Sequence, residues 1–230
     1  MLSTEAGQEW VVDVENAAGG SVDISAAGEF IAVGAAQYFG AGESLAGTPG
    51  VVLHDRTGAR QWNYKTDTDV IAVQIAAAQE RVVASTYDGR LLALDLAGNL
   101  VWEDELPVTW PRISGDGSTL VTTGSDGVVR AYDPVTGDER WTTETGASLG
   151  NDTSITDDGS RVLASARTEG EIVVVEESGV VWETAYGVGS AVGEIAADGR
   201  TWSVGVQNSE AQTGRVEIYR QNSPTDSGTR

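Results

Sequence analysis

Asp23 and Glu194 stand at the same offset inside a unit that this 230-residue chain repeats. Two carboxyl groups held at equivalent places around a ring suit glycoside hydrolysis. One would protonate the leaving oxygen and the other would serve as nucleophile or base, with their separation setting the stereochemistry. Asp152 is a further candidate for such a pair. The same offset carries Gln74, Arg112 and Ser154 in the other copies. The five side chains therefore also fit a polar ring lining a central channel, with the arginine satisfied by hydrogen bonds among its neighbours. This structural reading is the favoured one, and no catalytic residue is assigned.

Binding chemistry is concentrated elsewhere. Two stretches between repeating segments are enlarged, Ala35–Pro49 ("AAQYFGAGESLAGTP") and Gln207–Gly214 ("QNSEAQTG"). Both exceed the usual loop length of about 4–6 residues, and long loops often carry function. Gln37, Tyr38 and Phe39 in the first, and Gln207 and Asn208 in the second, combine aromatic and amide groups. Trp110, outside the repeat pattern, fits a partner anchor or a sugar-stacking platform as well as packing between repeats. Trp202, also outside it, is expected in the core.

Other chemistry is sparse. His54 is the only histidine and there is no cysteine, so no His-based triad, thiolate nucleophile or Cys metal site can be assembled. "TDTD" at Thr66 and "TDDG" at Thr156 lack the ligand spacing of a calcium loop and read as turns. "NDT" at Asn151 is a glycosylation sequon, meaningful only on an exposed cell or virion surface. Neither a P-loop nor a dinucleotide fingerprint is present. No cofactor and no metal is expected.

Charge narrows the setting. Asp and Glu number 35 against 14 Lys and Arg, a formal net charge of −21, and the acids recur on turns throughout. Such a surface repels nucleic acid phosphates. It also repels itself, except in molar salt, where the Debye length falls to about 3 Å. The composition resembles that of proteins from salt-accumulating halophiles. No run of 18 apolar residues exists, so membrane insertion is not expected. "MLSTEAGQEW" has neither the basic nor the apolar region of a signal peptide. The expected location is the cytoplasm, with a virion or larger surface assembly as the alternative.

The elements that must position these residues repeat. Trp62, Trp102, Trp141 and Trp182 are separated by 40, 39 and 41 positions, and Trp10 precedes them. Ile24, Ile75, Ile113, Ile155 and Ile195 stand in register with them. So do the small residues Gly34, Ser85, Thr123, Ser165 and Gly205. Runs of β-branched and aromatic residues broken by Asp-Gly turns read as hairpins. Four short strands recurring about every 40 residues describe the blades of a β-propeller.

The expected fold is therefore all-β: a single five-bladed propeller of four-stranded antiparallel blades over residues 1–220. The blades fall near 18–64, 70–104, 108–143, 150–184 and 190–220. The last would take its fourth strand from residues 7–14, closing the ring, and 221–230 would be a disordered tail. The five repeat tryptophans are assigned to packing on outermost strands.

"AYDPVTGDERW" (Ala131–Trp141) resembles the A-x-D-x-x-T-G-x-x-x-W repeat of PQQ-like, quinoprotein-type propellers, and more loosely WD40 repeats. The copies ending at Trp62 and Trp102 are one residue shorter, and the copy ending at Trp182 has Glu176 for the aspartate. Quinone-dependent relatives are eight-bladed, calcium-binding and carry vicinal cysteines, which this chain lacks. The resemblance therefore implies the blade architecture and not the cofactor. Many such propellers are non-enzymatic assembly platforms. The resulting expectation is an interaction or scaffold module with a protein partner, with carbohydrate binding or surface decoration as alternatives and a glycosidase behind them.

Overall fold

The computed structural model describes residues 10–11, 18–36, 48–166, 170–187, 190–208 and 213–221. These form five antiparallel sheets following one another along the chain. The first holds β1 (Ala18–Ile24), β2 (Phe30–Ala36), β3 (Gly50–Asp55) and β4 (Arg60–Lys65). The second holds β5 (Val70–Ala76), β6 (Arg81–Thr86), β7 (Arg90–Asp95) and β8 (Leu100–Glu105). The third comprises β9 (Thr109–Ile113), β10 (Leu120–Gly124), β11 (Val128–Tyr132) and β12 (Glu139–Glu144). The fourth comprises β13 (Leu149–Ile155), β14 (Val162–Ala166), β15 (Glu171–Glu176) and β16 (Gly179–Ala185). Among the described residues the fifth has three strands, β17 (Ser190–Ile195), β18 (Thr201–Asn208) and β19 (Thr213–Arg220). One 3₁₀ turn, Ala77–Gln79, is the only helix among them.

Burial follows strand position. β6, β7, β10, β14 and β15 are buried on both faces, because each lies between two neighbouring sheets. The outermost strands β4 and β8 alternate exposed and half-buried residues. The core is accordingly a series of junctions. Ala32, Val51 and Leu53 of the first blade cluster with Val70, Val73 and Ile75 of the second. Leu163, Ile172 and Val174 of the fourth cluster with Ala191, Trp202 and Val204 of the fifth.

The recurring Asp…Gly…Trp pattern has a direct physical cause. Asp55 Oδ1 accepts the amides of Thr57 at 2.8 Å and Ala59 at 3.1 Å, and Asp95 Oδ1 those of Ala97 and Asn99. Each aspartate thus caps its own hairpin. The hairpin glycines Gly58, Gly98 and Gly137 hold φ of +84°, +86° and +79°, a region that disfavours any side chain. The tryptophan of the preceding blade lies on each of them. A Cβ on Gly98 would come within 2.7 Å of the Trp62 ring, and one on Gly137 equally near Trp102. The indole N–H then donates to the same turn, Trp62 to Leu96 O at 2.9 Å and Trp102 to Pro134 O at 3.1 Å.

Trp10 does the same on the first blade. It donates to Arg56 O at 3.0 Å and stacks on His54 with ring centroids 6.5 Å apart. It therefore occupies the place of an outermost-strand tryptophan of a blade preceding the first. The fourth blade departs from the pattern: above Gly179 of its shorter turn there is open space, and Glu176 binds Arg161 instead of capping the hairpin.

The outward faces of the first and fifth blades differ from the internal junctions. Val22 and Ile24 on the first blade are 68% and 60% exposed, and Val216 and Ile218 on the fifth are 73% and 75% exposed. Their counterparts Val73, Ile172 and Val174 at internal junctions are buried. The expected pairing of residues 7–14 with the last blade falls, apart from Trp10 and Val11, outside the described residues. So does the tail, apart from Gln221.

Candidate functional site

Of the inner-strand polar residues, Asp23, Arg112 and Ser154 are turned sideways into the next blade, while Gln74 bonds its own strand. Asp23 Oδ2 accepts the amide of Ile75 at 2.7 Å, and Ser154 Oγ accepts that of Ile195 at 3.1 Å. Arg112 Nε donates to Thr153 O at 3.1 Å, and Gln74 Nε2 to Val73 O at 2.9 Å. Glu194 is exposed on the bare face of the fifth blade. Ser21 adds a further clamp by accepting the amide of Val73 at 3.1 Å. A carboxylate holding a backbone amide in this way orients two sheets, and Asp23 and Glu194 stand on the first and fifth blades, whose facing surfaces are both in solvent. Asp152 has no described side chain.

Loops leaving the second strand and entering the first strand of each blade share one face, the top. Gln37, Tyr38 and Phe39 lie outside the described residues. Trp110 is half-buried on β9 of the third blade, paired across the sheet with Thr123. Gln207 and Asn208 end β18 on the fifth. These candidates stand on different blades, and Trp110 is not brought to the other two.

Asn208 lies in a groove. With Tyr186, Val206, Thr213, Gly214 and Arg215 it lines a depression of about 320 Å³ on the top side between the fourth and fifth blades. The Arg215 guanidinium sits 5.2 Å from the centre of the Tyr186 ring, a cation–π arrangement. It pairs with Glu217 at 2.8 Å and is still 62% exposed. The Tyr186 hydroxyl donates to Glu217 at 2.8 Å, and Tyr219 donates to the same carboxylate. Burial and the bonds to Tyr219 and Glu217 raise the Tyr186 pKa, so it stays a donor at any physiological pH. The bonds from Tyr219 and Tyr186 hold the Glu217 carboxyl below its ordinary range, so it stays ionised. The result is a preorganised platform of aromatic face, guanidinium and amide.

A second depression of about 270 Å³ lies on the opposite flank of the same junction, lined by Arg161, Trp182, Trp202, Tyr219 and Gln221 among others. Trp182 and Trp202 meet edge to face at 5.4 Å, and Tyr219 tilts against Trp182 at 4.6 Å. Neither Tyr186 nor Arg215 stands out in the sequence, because Tyr186 lies just after β16 and Arg215 near the start of β19, away from the repeat landmarks. The signal for the aromatic trio was the out-of-pattern Trp202, which is 7% exposed and therefore core, as expected.

A family model described as outer membrane protein assembly factor BamB, of the PQQ-like type, matches residues 4–217. This chain belongs to that family. The BamB-type assignment accounts for the blade repeat over almost the whole chain. Comparison with curated protein sequences gives no match. Among solved structures 1472 chains match, so the fold by itself selects no function. One is Kuenenia stuttgartiensis hydrazine synthase, 15% identical with a TM-score of 0.68, over 96% of this chain and 67% of that one. At that identity the likeness is one of fold. No group of three or more metal-ligating side chains occurs among the described residues.

Proposed function

We propose that this BamB-type propeller is a non-catalytic interaction or scaffold module of a halophile, binding a protein partner through its top face. The observation that carries the reading is the Tyr186–Arg215–Asn208 groove. Tyrosine and arginine held rigid and partly desolvated are the residue types that dominate protein interfaces. Gln207 and the Gln37–Phe39 loop would extend the contact, and Trp110 would meet a larger partner. The family description, an assembly factor, agrees with this role. The rigid frame comes from the blade clamps, with the fifth blade receiving a fourth strand from a 7–14 segment.

Asp23 supports the non-catalytic side, since its carboxylate is engaged by Ile75 N–H. The test is turnover of a glycoside panel by the native chain and by Asp23→Ala and Glu194→Ala. Absence of turnover agrees with the module, and hydrolysis abolished by both changes would make it an enzyme.

A second reading rests on the Trp182, Trp202 and Tyr219 flank, where aromatic faces offer a stacking surface for a sugar ring. Tryptophan fluorescence titrated with oligosaccharides tests it: a saturable shift lost in Tyr219→Ala supports carbohydrate binding, and an unchanged spectrum excludes it.

A further inference from the structure

We infer that the bare face of the fifth blade docks on the first blade of a second copy of this chain, head to tail. At internal junctions one sheet presents residues equivalent to Val216 and Ile218, namely Ile172 and Val174, both fully buried. The next sheet presents residues equivalent to Val22 and Ile24, as with Val73 and Ile75, which are 1% and 9% exposed. The two bare faces are thus the two halves of an interface that the chain builds four times within itself. Their complementarity follows from the repeat.

Two further observations point to a second copy. Both halves are exposed in the same molecule, together with Val192 at 47%, so the arc of five blades does not bring them together. And Trp10 is fastened to the first blade through Arg56 O and His54, so docking that blade carries the Trp10 segment towards the open edge of β19. One event would cover the apolar face and supply a fourth strand to a three-stranded sheet, removing an edge that otherwise invites indiscriminate pairing.

The register names the polar contact. Asp23 and Ser154 each accept the amide of the isoleucine on the following inner strand. Glu194 holds the equivalent position on the fifth blade, and its carboxylate would accept the Ile24 amide of the second copy. Because the contact joins two different faces, it propagates into a ring or a chain of copies. Two molecules each carrying −21 repel at low salt, so assembly should strengthen as salt rises.

The native absence of cysteine permits a clean test. Ser203 corresponds to Ala32, which shares an apolar cluster with Val73 and Ile75. Ile24→Cys and Ser203→Cys are prepared separately, mixed at about 2 M KCl and oxidised. A disulfide-linked dimer formed only on mixing, and lost when Ile218→Glu is added to the Ser203→Cys protein without a change in its Tm, is the expected result. No mixed dimer overturns the inference. An internal bridge in the double variant would then show that one molecule closes on itself. Partner capture through the top-face groove is independent of either result.

Discussion

The indole of Trp102 lies on the α-carbon of Gly137 and donates its N–H to Pro134 O at 3.1 Å, thirty-two residues along the chain. One side chain thereby fixes the outer strand of one blade to the hairpin of the next. Trp62 with Gly98 and Trp10 with Gly58 repeat the relationship.

Gly137→Ala should destabilise the fold twice over. It forces a side chain to φ +79°, and it drives a Cβ into the Trp102 ring. Backbone strain alone is about 1–3 kcal/mol. Gly146→Ala is the internal control, since it has φ +78° with open space around it. Denaturant titration should show the larger loss at Gly137, and equal losses would deny the indole contact its role.

Trp102→Phe keeps most of the apolar area and removes the bond to Pro134 O. The carbonyl loses a donor worth about 1 kcal/mol net. Thermal melting should record a drop of that order.

Asp23→Ala leaves the Ile75 amide without its acceptor at a buried junction. An unsatisfied buried donor costs about 1–3 kcal/mol. Asp23→Asn keeps an acceptor oxygen and should recover most of that. A variant pair that melts alike would mean the carboxylate does not clamp the blades.

The hairpin aspartates set the acid limit. Asp158 is lowered to about 2 by the Ser160 amide first, then by the Thr156 and Ser160 hydroxyls. Asp55, Asp95 and Asp116 are also lowered by their turn partners, and Asp133 by the Arg140 guanidinium first and then by the Val135 and Thr136 amides. A carboxyl whose folded pKa lies below its unfolded value contributes stability above the ordinary carboxylate range, and that contribution disappears as pH falls through the folded pKa. Tm should therefore be insensitive to these groups above about pH 5 and fall between there and about pH 2. Asp158→Asn should flatten part of that fall. In the same way, Tm should climb between about 0.1 and 2 M salt as self-repulsion is screened. A flat salt response would contradict the halophilic reading.

How much of this was legible beforehand depended on periodicity. The five tryptophans, the isoleucine register and the Asp-Gly turns are local and repeated, so blade number and strand order could be read directly. Trp202 was readable as core because it falls on a second strand. The clamps were only half visible. Position revealed that Asp23, Arg112 and Ser154 share an offset, but which way a side chain leans between two sheets depends on how those sheets cross. The Tyr186–Arg215 groove was invisible for a related reason. Its residues come from the fifth blade and from Tyr186 in the segment leading into it, and are joined by packing with no sequence signal at either place. The bare faces of Val22 and Val216 carry the same apolar pattern as buried junctions, and nothing in that pattern marks them as uncovered.

The binding claim is tested most directly by isolating the native protein in molar salt and identifying by mass spectrometry what accompanies it. The account predicts a stoichiometric protein partner that is lost when Arg215→Ala and Asn208→Ala are combined, or when Gln37–Phe39 is replaced by Gly-Ser, with the Tm unchanged. A chain that is isolated without a partner, or a partner retained by both variants, would contradict it.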